Sequence, residues 1–306
     1  MRHLTALMGL MLLAPACVGS EDTPSNVKDL RVLGMRFDPP EAFASACASP
    51  APVPLTALAT PVRLTVLLAD PAGEGRELQY VLAACSGARD DVCEEDRVEL
   101  ARGTSLPGQL VIDLAPGPGV ARLADGTPLV QRVLSKDTYK GLGGVRLPVV
   151  LEVSAGDERL YARKLMVYNC PIVPGMAANQ QPELAGVLLE GEPWGEGIAR
   201  ELSGEGPFLV EPVDFTDRQE PYVVPSFELQ PVQLRESWEV SYYATLGSFS
   251  PNTTGGADLG GGEERHRTEW RPPSSATGPQ DVRFWMVARD GRGGESWLER
   301  SVRYTP

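Results

Sequence analysis

Val62-Arg63-Leu64-Thr65-Val66-Leu67-Leu68-Ala69 decides the fold. Val62, Leu64, Val66 and Leu68 alternate with Arg63, Thr65 and Leu67, a period of two that turns one face toward a core. A helix would repeat its apolar positions every three to four residues instead. The strand reading spreads outward from this stretch. Upstream, residues 30–37 read as a strand that stops at Asp38-Pro39-Pro40, where proline removes a backbone donor and restricts the residue before it. Downstream come Leu78–Ala84 and a short candidate at 110–114. Residues 147–155 and 159–168 are then joined at Gly156-Asp157 with the spacing of a two-residue hairpin turn. Residues 124–144 interrupt this rhythm and contain the one helical candidate, 128–136, in which Leu129, Val133 and Leu134 share a face after Pro128.

Residues 169–182 carry Pro171, Pro174, Gly175 and Pro182 with almost no apolar pattern, which marks a domain boundary. Beyond it, 184–189 reads as a first strand. Residues 232–246 contain the clearest one, with Trp238, Val240, Tyr242 and Ala244 on one face. Val282, Phe284, Met286 and Ala288 alternate in the same way, and Asp290-Gly291-Arg292-Gly293-Gly294 turns the chain into a last strand ending near Tyr304. The 32 glycines and 28 prolines fall between short apolar runs and read as turns. The expected fold class is mainly β, with two immunoglobulin-like β-sandwich domains in tandem. The first spans 29–169 with an irregular or helical insertion, 170–182 links the two, and the second spans 183–306. A single large jelly roll is the alternative.

The N-terminus runs Met1-Arg2-His3 into an apolar stretch from Leu4 to Ala14 and ends at Ala16-Cys17. That is the layout of a secretory signal peptide over residues 1–16, too short to span a bilayer before Ser20-Glu21-Asp22. Leu13-Ala14-Pro15-Ala16-Cys17 resembles a lipobox, so Cys17 is expected to be lipidated and acylated, with 17–28 as a tether. Several acyl chains anchor firmly where one does not, each buried methylene adding about 0.8 kcal/mol. A plain secretory signal with an incidental cysteine is the other reading. Val18 after the cysteine favours the outer membrane by resemblance to known sorting patterns.

The chain holds 28 basic and 41 acidic residues, a formal charge of −13. Such an acidic protein is repelled by phosphate backbones, so nucleic acid is not an expected partner. Setting Cys17 aside leaves Cys47, Cys85, Cys93 and Cys170, an even count that in an exported chain implies disulfides, with three possible connectivities. The favoured one pairs Cys85 with Cys93 across a short loop and Cys47 with Cys170 across the first domain. Zinc is the rival, unsupported by any CxxC pair or nearby histidine.

Catalytic signatures are scarce. The two histidines are His3, in the signal, and His266, which sits in Glu263-Glu264-Arg265-His266-Arg267 and reads as a solvated surface residue. No GxSxG, HExxH or GxxxxGK[ST] occurs. Asp90, Asp91, Glu94, Glu95 and Asp96 form the densest acidic cluster; it reads as a solvated loop, with modest calcium binding the sharper alternative. Asn252-Thr253-Thr254 matches a glycosylation sequon but reads as a turn. Trp238, Tyr242, Phe284 and Trp285 read as core, whereas Trp194 and Trp297, near turns, are better candidates for exposed contacts. No catalytic residue, metal site or cofactor is expected.

Leu30-Arg31-Val32-Leu33 with Asp38-Pro39-Pro40-Glu41, Ala84-Cys85 with Cys93, residues 179–187, Leu246-Gly247-Ser248-Phe249-Ser250 and Val287-Ala288-Arg289-Asp290-Gly291-Arg292-Gly293-Gly294 together look like uncharacterised cell-envelope lipoproteins of the myxobacterial type. The resemblance covers most of the mature chain and implies location and fold; it transfers no activity and no functional residues. The functional expectation is a membrane-anchored, non-catalytic interaction module contacting an envelope protein or a surface polymer. The alternatives are an accessory subunit of an envelope complex and, third, a carboxylate-based hydrolase with two acids facing across a cleft.

Overall fold

A computed structural model describes residues 23–48, 54–256 and 266–306. The expected signal peptide and Cys17 lie outside the described residues, as does most of the glycine-rich segment before His266. In chain order the first half contains β1 (Arg31–Asp38), β2 (Glu41–Phe43), β3 (Val62–Ala69), β4 (Leu78–Ala84), β5 (Gly87–Arg89), β6 (Val92–Glu95), β7 (Val98–Ser105), β8 (Gly108–Leu114), α1 (Leu129–Lys136), β9 (Val145–Ala155) and β10 (Glu158–Asn169). A three-stranded sheet ordered β1-β3-β8 faces a five-stranded sheet ordered β2-β10-β9-β4-β7. Phe37, Leu64, Val66, Leu82, Leu147, Leu151 and Tyr168 fill the space between them.

The second half contains β11 (Val187–Leu189), β12 (Glu192–Pro193), β13 (Arg200–Ser203), β14 (Phe208–Pro212), β15 (Pro221–Pro225), β16 (Pro231–Arg235), β17 (Glu239–Ala244), β18 (Ser248–Ser250), β19 (Thr253–Gly255), β20 (Thr268–Arg271), β21 (Gln280–Arg289) and β22 (Glu295–Thr305). Its two five-stranded sheets run β12-β11-β14-β20-β18 and β13-β22-β21-β17-β19. Trp270 and Trp194 meet Phe284 at centroid distances of 5.0 and 5.3 Å, and Phe215 stacks on Trp238 at 4.9 Å. Trp194 meets Phe284 edge-on and Trp270 meets it tilted, while Phe215 and Trp238 are stacked; edge-on and offset-stacked arrangements both suit the ring quadrupoles. The protein is therefore mainly β, with two immunoglobulin-like sandwiches in tandem.

Both expected disulfides are formed, Cys47 to Cys170 and Cys85 to Cys93. The hairpin of β9 and β10 turns at Gly156-Asp157 and pairs without a register shift. The single candidate helix is α1, with Leu129 and Val130 buried.

The structure differs from the sequence reading at several places. Residues 232–246 contain the expected strand as β17, with Trp238, Val240, Tyr242 and Ala244 facing the core, and also an unexpected one, β16, which pairs with β15 in a separate two-stranded arm. Buried Glu236 breaks the run, accepting the Glu220 N–H at 3.2 Å and the Trp238 indole N–H at 2.8 Å. The first strand after the boundary begins at Val187, not residue 184. Thr253 opens β19, and Thr254 is buried against the Tyr242 hydroxyl, so the stretch read as a turn is partly strand. Trp194 is buried on Phe284, because the chain after β12 folds back over the core. His266 is half-buried against Phe215, with ring centroids 4.3 Å apart, not a solvated side chain.

The largest difference concerns the faces expected to meet water. Thr65 and Leu67, on the outer face of β3, are buried. Val27, Leu33, Leu67 and Ala69 pack there on Trp285 and Val287 from β21, forming a third apolar cluster between the sandwiches. The segment before β1, expected as tether, takes part. Val27 N–H donates to Ala244 O at 2.8 Å, Ala244 N–H to Ser25 O at 2.8 Å, and Phe249 N–H to Ser25 Oγ at 3.1 Å. Residues 25–27 thus bind the second sandwich before the chain enters the first.

Candidate functional site

Where the sandwiches meet, an open groove follows the outer edge of β10. One stretch of about 540 Å³ runs between β1 and residues 160–164, and a second of about 690 Å³ continues past Leu165 and Val167 to Asn169 and β15. They share Arg163, Lys164, Gly291 and Gly293, so the β21–β22 turn is the floor of both.

That floor is fixed by Asp290. Its Oδ1 accepts the N–H groups of Arg292, Gly293 and Gly294 at 2.7, 3.0 and 2.9 Å, and its Oδ2 accepts Asn179 Nδ2–H at 2.7 Å. A Cβ at residue 294 would lie 2.2 Å from Asp290 Oδ2, so glycine is required for this wrap. The Asn179 N–H in turn donates to Glu41 Oε2 at 2.8 Å, and Glu41 Oε1 accepts Asn169 Nδ2–H at 2.9 Å. First sandwich, connecting segment and second sandwich are therefore linked by buried charge-assisted hydrogen bonds, which are stronger than neutral ones. Lys164 donates to Glu295 Oε2 at 2.8 Å, and Arg289 binds both Glu295 Oε1 and the Leu33 carbonyl at 3.0 Å.

The wider stretch of groove is apolar and cationic. Tyr139, 59% exposed, meets Phe227, 76% exposed, at a centroid distance of 5.8 Å, so the tip of the β15–β16 arm reaches the segment after α1. Leu142, Leu165 and Val224 continue this wall. Arg292 lies 4.2 Å over the Tyr222 ring and pairs with Glu236 at 3.1 Å. Arg146 projects from the exposed face of β9 and forms no ion pair among the described residues. Beside Arg292, burial first and the charge of Glu236 second hold the Glu220 carboxyl above the ordinary glutamate range.

Of the acidic cluster singled out by sequence, Asp91 lines one end of this groove, and four of the five carboxylates face cations. Asp91 faces Arg163 at 3.4 Å, Glu94 faces Arg89 at 3.4 Å, and Lys136 bonds Glu95 and lies 3.7 Å from Asp96. No group of three or more His, Cys, Asp or Glu among the described residues is arranged to hold a metal ion. Trp297, the other exposed-contact candidate, is partly buried beside the inter-sandwich cluster, with Arg36 5.1 Å over its ring. Sequence reasoning did not find Arg146, Tyr139, Phe227 or Asp290 as site residues. Only Asp290 had a legible signal, its place at the head of the glycine-rich turn.

No family model matches the sequence, and no curated protein matches it. Solved structures align at low similarity. Alpha-2-macroglobulin of Escherichia coli activated by porcine elastase is 10% identical with a TM-score of 0.26, over 92% of this chain and 22% of that one. The titin domains Z1Z2 in complex with telethonin are 5% identical at a TM-score of 0.22, over 92% and 97%. Dimeric latent PorU from Porphyromonas gingivalis is 11% identical at 0.22, over 90% and 24%. The chain spans about a fifth of the macroglobulin chain's length. None of these likenesses carries a function to this chain.

Proposed function

We propose that this protein is a lipid-anchored envelope lipoprotein that works as a non-catalytic interaction module, holding an envelope protein or surface polymer in the groove between its sandwiches. The observation that carries the reading is the composite groove, with exposed Tyr139 and Phe227 from opposite halves of the molecule beside Arg146, which forms no ion pair among the described residues. Exposed aromatics and arginine are the side chains most enriched at binding hot spots. The acids in the groove support binding over hydrolysis: Asp91 and Glu295 are in ion pairs, and Glu41 is buried and hydrogen-bonded to Asn169 and Asn179.

Lipidation of Cys17 fits this geometry. Thr23 lies six positions after it, a reach of at most about 20 Å. Since residues 25–27 are bonded to β17 and to Phe249, the second sandwich is the unit held near the bilayer.

Photo-cross-linking side chains placed at 139 and 227 in the native envelope test the binding role. Reproducible adducts at both, with none at exposed Val111 on β8, are expected. Adduct-free protein, or equal labelling at all three positions, would remove the groove from consideration. Cys17→Ser should leave the membrane fraction and lose incorporated fatty acid; unchanged fractionation and labelling would refute the anchor.

A further inference from the structure

β10 pairs with β9 along eleven consecutive positions but with β2 only at Val167, Tyr168 and Asn169. From Glu158 to Met166 its other side has no partner strand among the described residues. The direction of its free groups follows from one bond. Asn169 O accepts from Ala44 N–H on the β2 side at 2.8 Å, and backbone groups in a strand alternate sides. With no register shift between β10 and β9, the N–H and C=O of Arg159, Tyr161, Arg163 and Leu165 therefore point to the unpaired side, the last three into the groove. An open edge of this kind is a template for another strand unless covered or blocked. Here it lines a groove with a second wall, which includes Tyr222, Val223, Val224 and Pro225 of β15.

The charge of the groove selects the occupant. Six cationic side chains line its two stretches (Arg31, Arg146, Arg163, Lys164, Arg289 and Arg292) against three acidic ones, Glu41, Asp91 and Glu295. The whole chain has the opposite balance, 28 basic against 41 acidic residues. Resting on the interaction-module reading, we infer that β10 recognises its partner by strand addition: an extended acidic polypeptide segment lies along residues 159–165, takes up their free backbone groups, and sets carboxylates against Arg146 and Arg163. Main-chain bonds give such complexes affinity, and alternate side chains give them register. The neighbours of an added strand on the solvent face are Tyr161, Arg163 and Leu165, so acidic and apolar positions are both accommodated.

A short synthetic peptide of alternating glutamate and valine is the probe, titrated into the purified full chain with amide exchange followed by NMR. Binding is expected to slow exchange at Tyr161, Arg163 and Leu165, to weaken as salt rises, and to fall at least about tenfold when one register of the peptide is N-methylated. Leu165→Pro removes one outward N–H without touching the β9 ladder, whereas Leu165→Ala keeps it. The proline variant should lose binding and the alanine variant retain it, both folding as the parent does. Equal affinity for the N-methylated peptide, or no slowing along β10, would overturn strand addition. In the envelope, cross-links at 139 and 227 that survive Leu165→Pro would leave the groove reading standing and sink this one; their absence from the parent protein would sink the groove reading itself.

Discussion

Glu220 lies 3.6 Å from Arg292, a side chain that lines the groove. Its carboxyl is held above the ordinary glutamate range, first by burial and then by the charge of Glu236, against the weaker pull of the Gln180 backbone N–H and Arg292. A carboxylate whose folded pKa is raised opposes folding when ionised: its contribution is neutral below the unfolded value of about 4.3 and turns unfavourable as pH rises through the raised folded value. Glu220→Gln should therefore be more stable than the parent at pH 7, with the advantage shrinking to nothing near pH 4 in urea titrations. A variant advantage that grows on acidification would contradict the assignment. Neither Glu220 nor Glu236 was legible as a partner of Arg292, because contacts between a hairpin arm and a distant turn leave no periodic trace. Trp194 and His266 were misread for a related reason: proximity to turn residues or charge predicts exposure only when no other segment folds back over the site.

Strands were legible where alternation ran long. β3, β9 and β21 each repeat an apolar residue every second position, and each occupies the centre of its sheet; β10 and β22 break the pattern mid-strand at Lys164 and Arg300. The short strands were not, whether at an edge like β2 and β13 or central like β14, since these span 3, 4 and 5 residues and are fixed by pairing with distant segments. β7 spans 8 residues but carries Gly103 and charged side chains in place of clean alternation. The cysteine count, by contrast, implied two bridges, and the favoured of the three connectivities is the one formed. The two should differ in worth. Cys47–Cys170 joins residues separated by 123 positions and Cys85–Cys93 by 8. Loop-closure entropy of the unfolded chain then predicts losses of about 5 and about 2.5 kcal/mol respectively on replacement by alanine pairs. Equilibrium urea unfolding of the two double variants tests the order; a larger loss from the short bridge would show that native-state effects dominate.

At the scale of the molecule, two sandwiches were readable but their union was not. Period-two patterning identifies an inward face and leaves the other to solvent by default, yet here Leu67 of β3 and Trp285 and Val287 of β21 are buried outside their own sandwich cores. A second apolar residue on the outer face, as at Leu67 and Leu68 in sequence, was the available sign that both faces are covered. Trp285 is the largest of these contacts, and its indole N–H donates to Glu299 Oε2 at 3.1 Å. Trp285→Ala removes a buried ring from the contact without entering either sandwich core, at a cost of about 3–5 kcal/mol. Calorimetry should then give one transition for the parent protein and two for the variant, as the sandwiches unfold separately. The groove would also widen, because its floor belongs to one sandwich and β10 to the other, so adducts at 139 and 227 should fall together. One unchanged transition in the variant would mean that the buried chain from Glu41 through Asn179 to Asp290, and not the apolar cluster, couples the two halves.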